Sequence, residues 1–224
     1  MGIPEGVSRL RKVRISIPTD LPCESFSTER LFDFVPKNHG LTEEFIYHNT
    51  NPETEQLPVY SASYEPIGYL PRDTEINGQP LTICSGEVII IFRQGYAGQM
   101  YIPREEEFFA SEHTIPIRAK PEFRDRLNQH WFVRHYEPEV LHYVTGKADS
   151  GNFSELAFRK VTILLPPKTL QDECACLYRQ MDENMKQLQT TLDNLRIASL
   201  GKGERQITVR SQSLCSPRTQ SPRG

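Results

Sequence analysis

Apolar and polar positions change rhythm along this chain. Between Leu57 and Ile117 short apolar runs alternate with turn residues, whereas from Lys168 to about Arg196 apolar positions recur at helical spacing. The β-prone runs are Leu57–Ser61, Ile67–Leu70, Leu81–Ile83, Glu87–Phe92, Gln99–Ile102, Phe108–Ala110 and Thr114–Ile117. Pro66, Pro71, Asn77-Gly78, Gly86 and Gly95 punctuate them. Val88-Ile89-Ile90-Ile91-Phe92 is continuous rather than alternating, which predicts a central strand buried on both faces. The proline in Thr114-Ile115-Pro116-Ile117 places that strand near a sheet edge. Gly95, Ala97 and Gly98 are small enough to let backbones approach closely.

The flanks are more mixed. Val13, Ile15 and Ile17, among Arg9, Arg11, Lys12 and Arg14, suggest a short edge strand. Thr28 to Val35 suits either a short helix or a strand, which Pro36 stops. Thr42 is placed to cap a helical turn reaching Tyr47. A helix from about Pro121 to Tyr136 carries Phe123, Leu127, Trp131 and Phe132 on one side, and Val161 to Leu165 reads as a strand ended by Pro166-Pro167. No internal repeat of fixed period occurs.

After those prolines the pattern becomes one long amphipathic helix. Cys174, Met181, Leu188 and Leu195 fall one heptad apart, flanked by Leu170, Leu177, Tyr178, Met185 and Leu192. A helix ending near Arg196 would be roughly 40 to 45 Å long, more than the side of a small domain. Part of its stripe is therefore expected to project beyond its own domain or meet a second helix, in a coiled coil or on a partner. Asn184 and Thr191 interrupt the column begun by Leu170 and Leu177, which weakens a seam but can fix its register. The alternative, a terminal helix packed only on its own sheet, stays open.

Composition adds limits. The 224 residues suffice for a real core in one domain or two small ones, and 37% hydrophobic content without an apolar run near 18 residues leaves no membrane span. The first residues lack the apolar core of a signal peptide, so a cytoplasmic setting is expected. Five cysteines without a C-x-x-C pair indicate reduced thiols rather than a disulfide framework or zinc knuckle. The net charge of −3 is uneven: Arg196, Lys202, Arg205, Arg210, Arg218 and Arg223 face only Glu204 in the last 29 residues, leaving −8 on the first 195. That tail, rich in Ser, Arg, Gln and Pro, reads as disordered and able to brush a polyanion. The acidic body needs a local basic patch or a basic partner to meet nucleic acid.

Catalytic motifs are few. Gly95-Tyr96-Ala97-Gly98 lacks the Lys-Ser/Thr of a P-loop and the spacing of a dinucleotide fold. The six histidines form no H-E-x-x-H, and His130 and His135 are poorly spaced for one helical face, so no metal site is expected. Glu112-His113 and Asp125 as acid or base, and Cys84 as a nucleophile, have no recognisable partners and read as surface or core residues.

The order of the pieces carries a resemblance. Pro58-Val59-Tyr60-Ser61, then Ile67-Gly68-Tyr69, then a strand ending at Gly95-Tyr96-Ala97-Gly98, then Phe108 to Ile117 resemble the target-recognition domain of a type I restriction-modification specificity (S) subunit. The likeness continues through Trp131-Phe132-Val133, a Gly146-to-Asn152 loop and Leu164-Leu165-Pro166-Pro167 before the long helix, covering about residues 26 to 195. It implies an α/β (α+β) fold: a compact recognition domain with a twisted, mostly antiparallel or mixed sheet and short helices, followed by a coiled-coil-like helix. The expected divisions are an extension over 1–25, the recognition domain over 26–167, the helix over 168–197 and a disordered basic tail over 198–224.

The same resemblance implies a non-catalytic DNA-reading subunit of a restriction system, which binds a half-site and docks a DNA methyltransferase subunit, with room for a restriction or translocase subunit. It needs no cofactor of its own, and S-adenosylmethionine would belong to the methyltransferase, since no N/D-P-P-Y/F tetrapeptide occurs here. One recognition domain and one helix stand where the family commonly has two of each, which suggests a homodimer pairing antiparallel helices. The seam would comprise Leu170, Cys174, Leu177, Met181, Met185, Leu188, Leu192 and Leu195. Double-stranded DNA would be met by loops at one end of the sheet: Ser61, Ser63, Tyr64 and Arg72, then Arg93, Gln94 and Tyr96, then Lys147, Ser150 and Asn152. Arg and Lys suit guanine edges or phosphates, Gln and Asn suit adenine, and hydroxyls position the backbone. Two other classes remain open: an acidic interaction module, adaptor or DNA mimic that docks through the helix without reading DNA, and an enzyme of unrecognised type.

Overall fold

The computed structural model describes residues 14–18, 20–146 and 151–212, with side chains to residue 197. Its architecture is α+β. One four-stranded sheet orders Gly68–Pro71, Gln56–Tyr60, Glu107–Ala110 and Ile83–Ser85; the second orders Phe32–Phe34, Thr114–Ala119, Val88–Phe92 and Met100–Tyr101. All neighbours in them are antiparallel except Gln56–Tyr60 beside Glu107–Ala110.

Period-2 alternation explains how the sheets share a core. Tyr60, Cys84, Phe108 and Ala110 of the first sheet join Val88, Ile90 and Phe92 of the second in one buried cluster. The intervening residues Leu57, Val59 and Phe109 face the other way and pack with Ile46 of the helix Glu43–Asn49. Val88–Phe92 is buried at every position, as its unbroken apolar run predicts.

Several elements differ from the sequence expectation. Thr114–Ala119 lies inside its sheet, not near an edge. Pro116 is tolerated because Val35 N donates to its carbonyl just beyond Phe34, the last residue of the neighbouring strand, so the missing donor falls where the ladder ends. Thr28 to Val35 is both of the elements weighed, a helix Thr28–Leu31 capped by Ser27 and then the strand Phe32–Phe34. The stretch after Lys120 is a 3-10 turn, Pro121–Arg126, and a separate helix, Gln129–Val140, started by Asn128, whose side chain accepts from Trp131 N at 2.9 Å. Thr42 caps its helix by accepting from Phe45 N at 3.1 Å. Residues 14–18 form no strand, and the rest of that expected edge strand lies outside the described residues.

Thr162–Leu165 pairs antiparallel with Glu24–Ser27 and leads through Pro166-Pro167 into the helix Lys168–Gln212. The junction is held by Gln171, which is fully buried. Its Oε1 accepts from Asn128 N, and its Nε2 donates to the carbonyls of Arg126 and Pro166, all at 2.8 Å. Asp172 accepts from Asn128 Nδ2 and from Lys168 Nζ, which together hold its carboxyl below the usual range.

The chain divides into two compact units, Met1–Tyr178 and Arg179–Gly224. The first three turns of the helix therefore belong to the first unit, whereas Pro166-Pro167 was the expected divide. Cys174, assigned by the sequence to a partner-facing seam, is instead buried in the first unit together with Ala175 and Tyr178. In the second unit Met181 and Met185 are half-buried, while Leu188, Leu192 and Leu195 are 58–62% exposed. Helical backbone continues to Gln212, so residues 198–212 are helix where a disordered tail was expected. Residues 213–224 of that tail lie outside the described residues. Among the described residues no helix is long and apolar enough to cross a membrane.

Candidate nucleic-acid interface

The parallel strands Gln56–Tyr60 and Glu107–Ala110 end together, and the loops that follow them meet the turn after Phe92. Ser111 N donates to Tyr60 O at 3.0 Å, Arg93 N to His113 O at 2.8 Å, and Phe153 N to Arg93 O at 2.9 Å. Four segments thus converge: 61–66, 93–99, 111–114 and the pair Val144–Thr145 with Asn152–Phe153.

Two glycines make this convergence possible. A methyl group on Gly95, which has φ +68°, would sit 2.8 Å from the Ala62 carbonyl oxygen. On Gly98, with φ +78°, it would sit 2.6 Å from the Val144 side chain. Close approach and left-handed backbone both require glycine at these positions. Between the loops Tyr64 packs edge-on to Phe92 at 5.1 Å and against Tyr96 at 5.0 Å, and its hydroxyl donates to Gln99.

Most of the sequence-predicted contacts gather here, in different states. Gln94 is exposed, Tyr96 is half-buried, and Asn152 is exposed beside its pairing partner Thr145. Arg93 is the cation at this tip: its Nη1 donates to the Glu112 carbonyl at 3.0 Å while its Nε is buried without a partner. Ser63 is half-buried and donates to Glu65 O at 2.6 Å. Ser61, by contrast, is only 7% exposed, and its hydroxyl accepts from Ser111 Oγ at 3.0 Å. It belongs to the scaffold, and a direct contact with a ligand is overturned by its burial.

Arg72 is also misplaced by the sequence reading. Its backbone N donates to Glu55 O, so it lies at the start of the Gln56–Tyr60 strand, the opposite end from the converging loops. There it makes a two-armed ion pair with Glu107, one arm Nη2 to Oε1 at 2.9 Å, which holds the Glu107 carboxyl below its ordinary value. Lys147 and Ser150 lie outside the described residues.

The turn 111–114 was missed as part of the site. Ser111, fully buried, accepts from His113 N at 3.2 Å, and Thr114 donates to its carbonyl from both N and Oγ1. The available signal was a polar triplet, Ser111-Glu112-His113, interrupting two apolar runs. Cys84 is buried between the sheets, and burial pushes its thiol up to about 12, far from a nucleophile's range. Among the described residues no group of His, Cys, Asp or Glu is placed to hold a metal ion.

Known structures match this arrangement. The type I restriction-modification system S subunit from M. genitalium superposes with a TM-score of 0.52 at 13% identity, over 79% of this chain and 43% of that one. The HsdS subunit from Thermoanaerobacter tengcongensis does so with a TM-score of 0.52 at 15% identity, over 82% of this chain and 45% of that one. This chain has the fold of a type I S subunit. The resemblance carried by motif order holds at the level of fold, and the chain spans less than half the length of either S subunit. No protein-family model and no curated protein matches the sequence.

In this S-subunit fold the converging loops occupy one end of the two-sheet body. They offer Arg93 and Gln94 on a turn pinned from both sides, next to exposed Asn152. Donors of these types can reach guanine and adenine edges, and pinning lowers the entropy lost on contact.

Proposed function

We propose that this chain is a DNA-recognition subunit of a type I-like restriction-modification complex, reading one half of a split target with the converging loops. The observation that carries the reading is the joint placement of Arg93, Gln94 and Asn152 on loops that close against one another, in a chain with the S-subunit fold. The chain is non-catalytic in this proposal. A DNA methyltransferase subunit docks on it and supplies S-adenosylmethionine and the transfer chemistry, a restriction or translocase subunit can join, and the setting is cytoplasmic.

Two copies pair in the same proposal through the exposed stripe Leu188, Leu192 and Leu195, continued by Met181 and Met185. Leucines at this exposure and spacing suit a helix of the same kind. A monomeric mass by light scattering, alone and with the methyltransferase, overturns the pairing.

The reading itself is tested by titrating fluorescent duplexes of varied sequence with the full chain, with and without the methyltransferase. Sequence-selective, salt-sensitive binding is expected. Arg93→Ala should change which sequence is preferred, by roughly 5- to 100-fold in discrimination. Equal binding of every duplex, or of none, overturns the proposal.

A further inference from the structure

Ser61 and Ser111 draw attention because both are buried hydroxyls at the tip of a site that otherwise faces outward. Ser111 Oγ donates to Ser61 Oγ at 3.0 Å and accepts from His113 N at 3.2 Å, while Ser111 N donates to Tyr60 O. Each of these bonds fixes the turn that carries the Glu112 carbonyl. That carbonyl accepts from Arg93 Nη1 at 3.0 Å, and the next one, His113 O, accepts from Arg93 N at 2.8 Å. Arg93 is therefore held twice, by backbone and by guanidinium, against a turn that the serine pair helps to fix alongside the Thr114 bonds to Ser111 O.

The guanidinium has little else to hold it. Its Nε is buried with no partner, and among the described residues it makes no ion pair. Arg30, Arg72, Arg126 and Arg159 are each fixed by a carboxylate. A guanidinium fixed by a carbonyl keeps its full charge and its remaining fork for a ligand, whereas one fixed by a carboxylate is neutralised.

We propose that Ser61 and Ser111 are positioning residues for sequence recognition: through the 111–114 turn they set the orientation of the Arg93 guanidinium and thus which base edge it meets. This rests on the DNA-reading proposal above and deepens it. Ser61 and Ser111 touch no ligand themselves. Removing either hydroxyl loosens the turn, lets the guanidinium swing between neighbouring base edges, and flattens base preference without removing a charge or changing the phosphate contacts.

The test measures Kd for the preferred duplex and for single-base variants at several salt concentrations, using the full chain with its methyltransferase. Ser61→Ala and Ser111→Ala are each compared in the native and the Arg93→Ala backgrounds. In the native background each should lower the ratio of preferred to variant affinity by roughly 2- to 10-fold, the scale of one hydrogen bond. The salt slope should stay unchanged, because no phosphate contact is lost. In the Arg93→Ala background the serine substitutions should have no further effect on the ratio, since the group they orient is gone.

Unchanged discrimination in Ser61→Ala and Ser111→Ala, where Arg93→Ala alters it, overturns the positioning role and leaves DNA reading intact. Serine effects that persist in the Arg93→Ala background also overturn it. A native chain without sequence preference overturns the DNA reading itself. Thermal melting accompanies each variant. Should Ser111→Ala melt early, the milder Ser61→Ala, at a site still 7% exposed, decides the outcome.

Discussion

The two parts of the long helix carry the same apolar spacing and meet different fates. In the first part, to Tyr178, Gln171, Cys174, Ala175 and Tyr178 are buried and hydrogen bonds fix the polar ones. In the second part, from Arg179 to Ile197, Leu188, Leu192, Leu195 and Ile197 are exposed by 58–68%. Heptad spacing says only that a helix has a side to cover. What covers it depends on which neighbours the rest of the chain places there.

For the first part those neighbours are the helix Gln129–Val140 and the segment 14–17. Ile15 N donates to the Tyr178 hydroxyl at 2.9 Å, that hydroxyl lies 3.4 Å from His135 Nδ1, and Arg14 Nε donates to His135 Nε2 at 2.8 Å. Arg134 lies over the Tyr178 ring at 5.2 Å. His135 is buried and stacked on Trp131, and burial, helped by the Arg14 charge, pushes its pKa down to about 4.

Three experiments test the contrast between the two parts. The largest effect is expected from Gln171→Leu, which strips partners from Asn128 N, Arg126 O and Pro166 O at once. The loss should be about 3 to 5 kcal/mol in urea unfolding. A loss below 1 kcal/mol would show that the junction is not held as described.

The next effect is pH dependence. His135 has a folded pKa below its unfolded value, so the unfolded chain takes up its proton first as pH falls. Its contribution is fully favourable above about pH 6.5 and is lost as pH drops toward 4, by about 3 kcal/mol. His135→Gln should flatten that part of the stability profile. A profile with the same slope in the variant assigns the loss to other groups.

The smallest effect on unfolding is expected in the second part. Leu188→Ala, Leu192→Ala and Leu195→Ala should each change unfolding of the first unit by less than about 0.5 kcal/mol, as exposed substitutions do. Combined, they should reduce the light-scattering mass from two copies to one. A large loss of stability in the first unit would erase the distinction drawn between the two parts.

The body shows the same division between pattern and placement. The run Val88–Phe92, the cap at Thr42 and the glycines at 95 and 98 were readable because each is a local requirement of burial, capping or close approach. Pro116 was misread because a proline rules out one hydrogen bond, not a position in a sheet, and only the register shows where the lost donor falls. Arg72 and Ser61 were read as loop contacts from their type and their nearness to turns. The fold sends Arg72 to Glu107 at the far end and buries Ser61 under Ser111.

Residue order alone was enough for the short β-prone runs, the glycine turn that follows Arg93 and Gln94, and the long helix after Pro166-Pro167, but it implied one sheet where the strands form two four-stranded ones. The runs, the turn and the helix depend on periodicity and backbone freedom, which are properties of neighbouring residues. Tertiary structure alone decided that Cys174 faces inward while Leu188 stays exposed, that Arg93 rests on the Glu112 carbonyl, and that Ser61 supports rather than touches. Each of these joins residues far apart in the chain, and a contact of that kind exists only once the strands between them have paired.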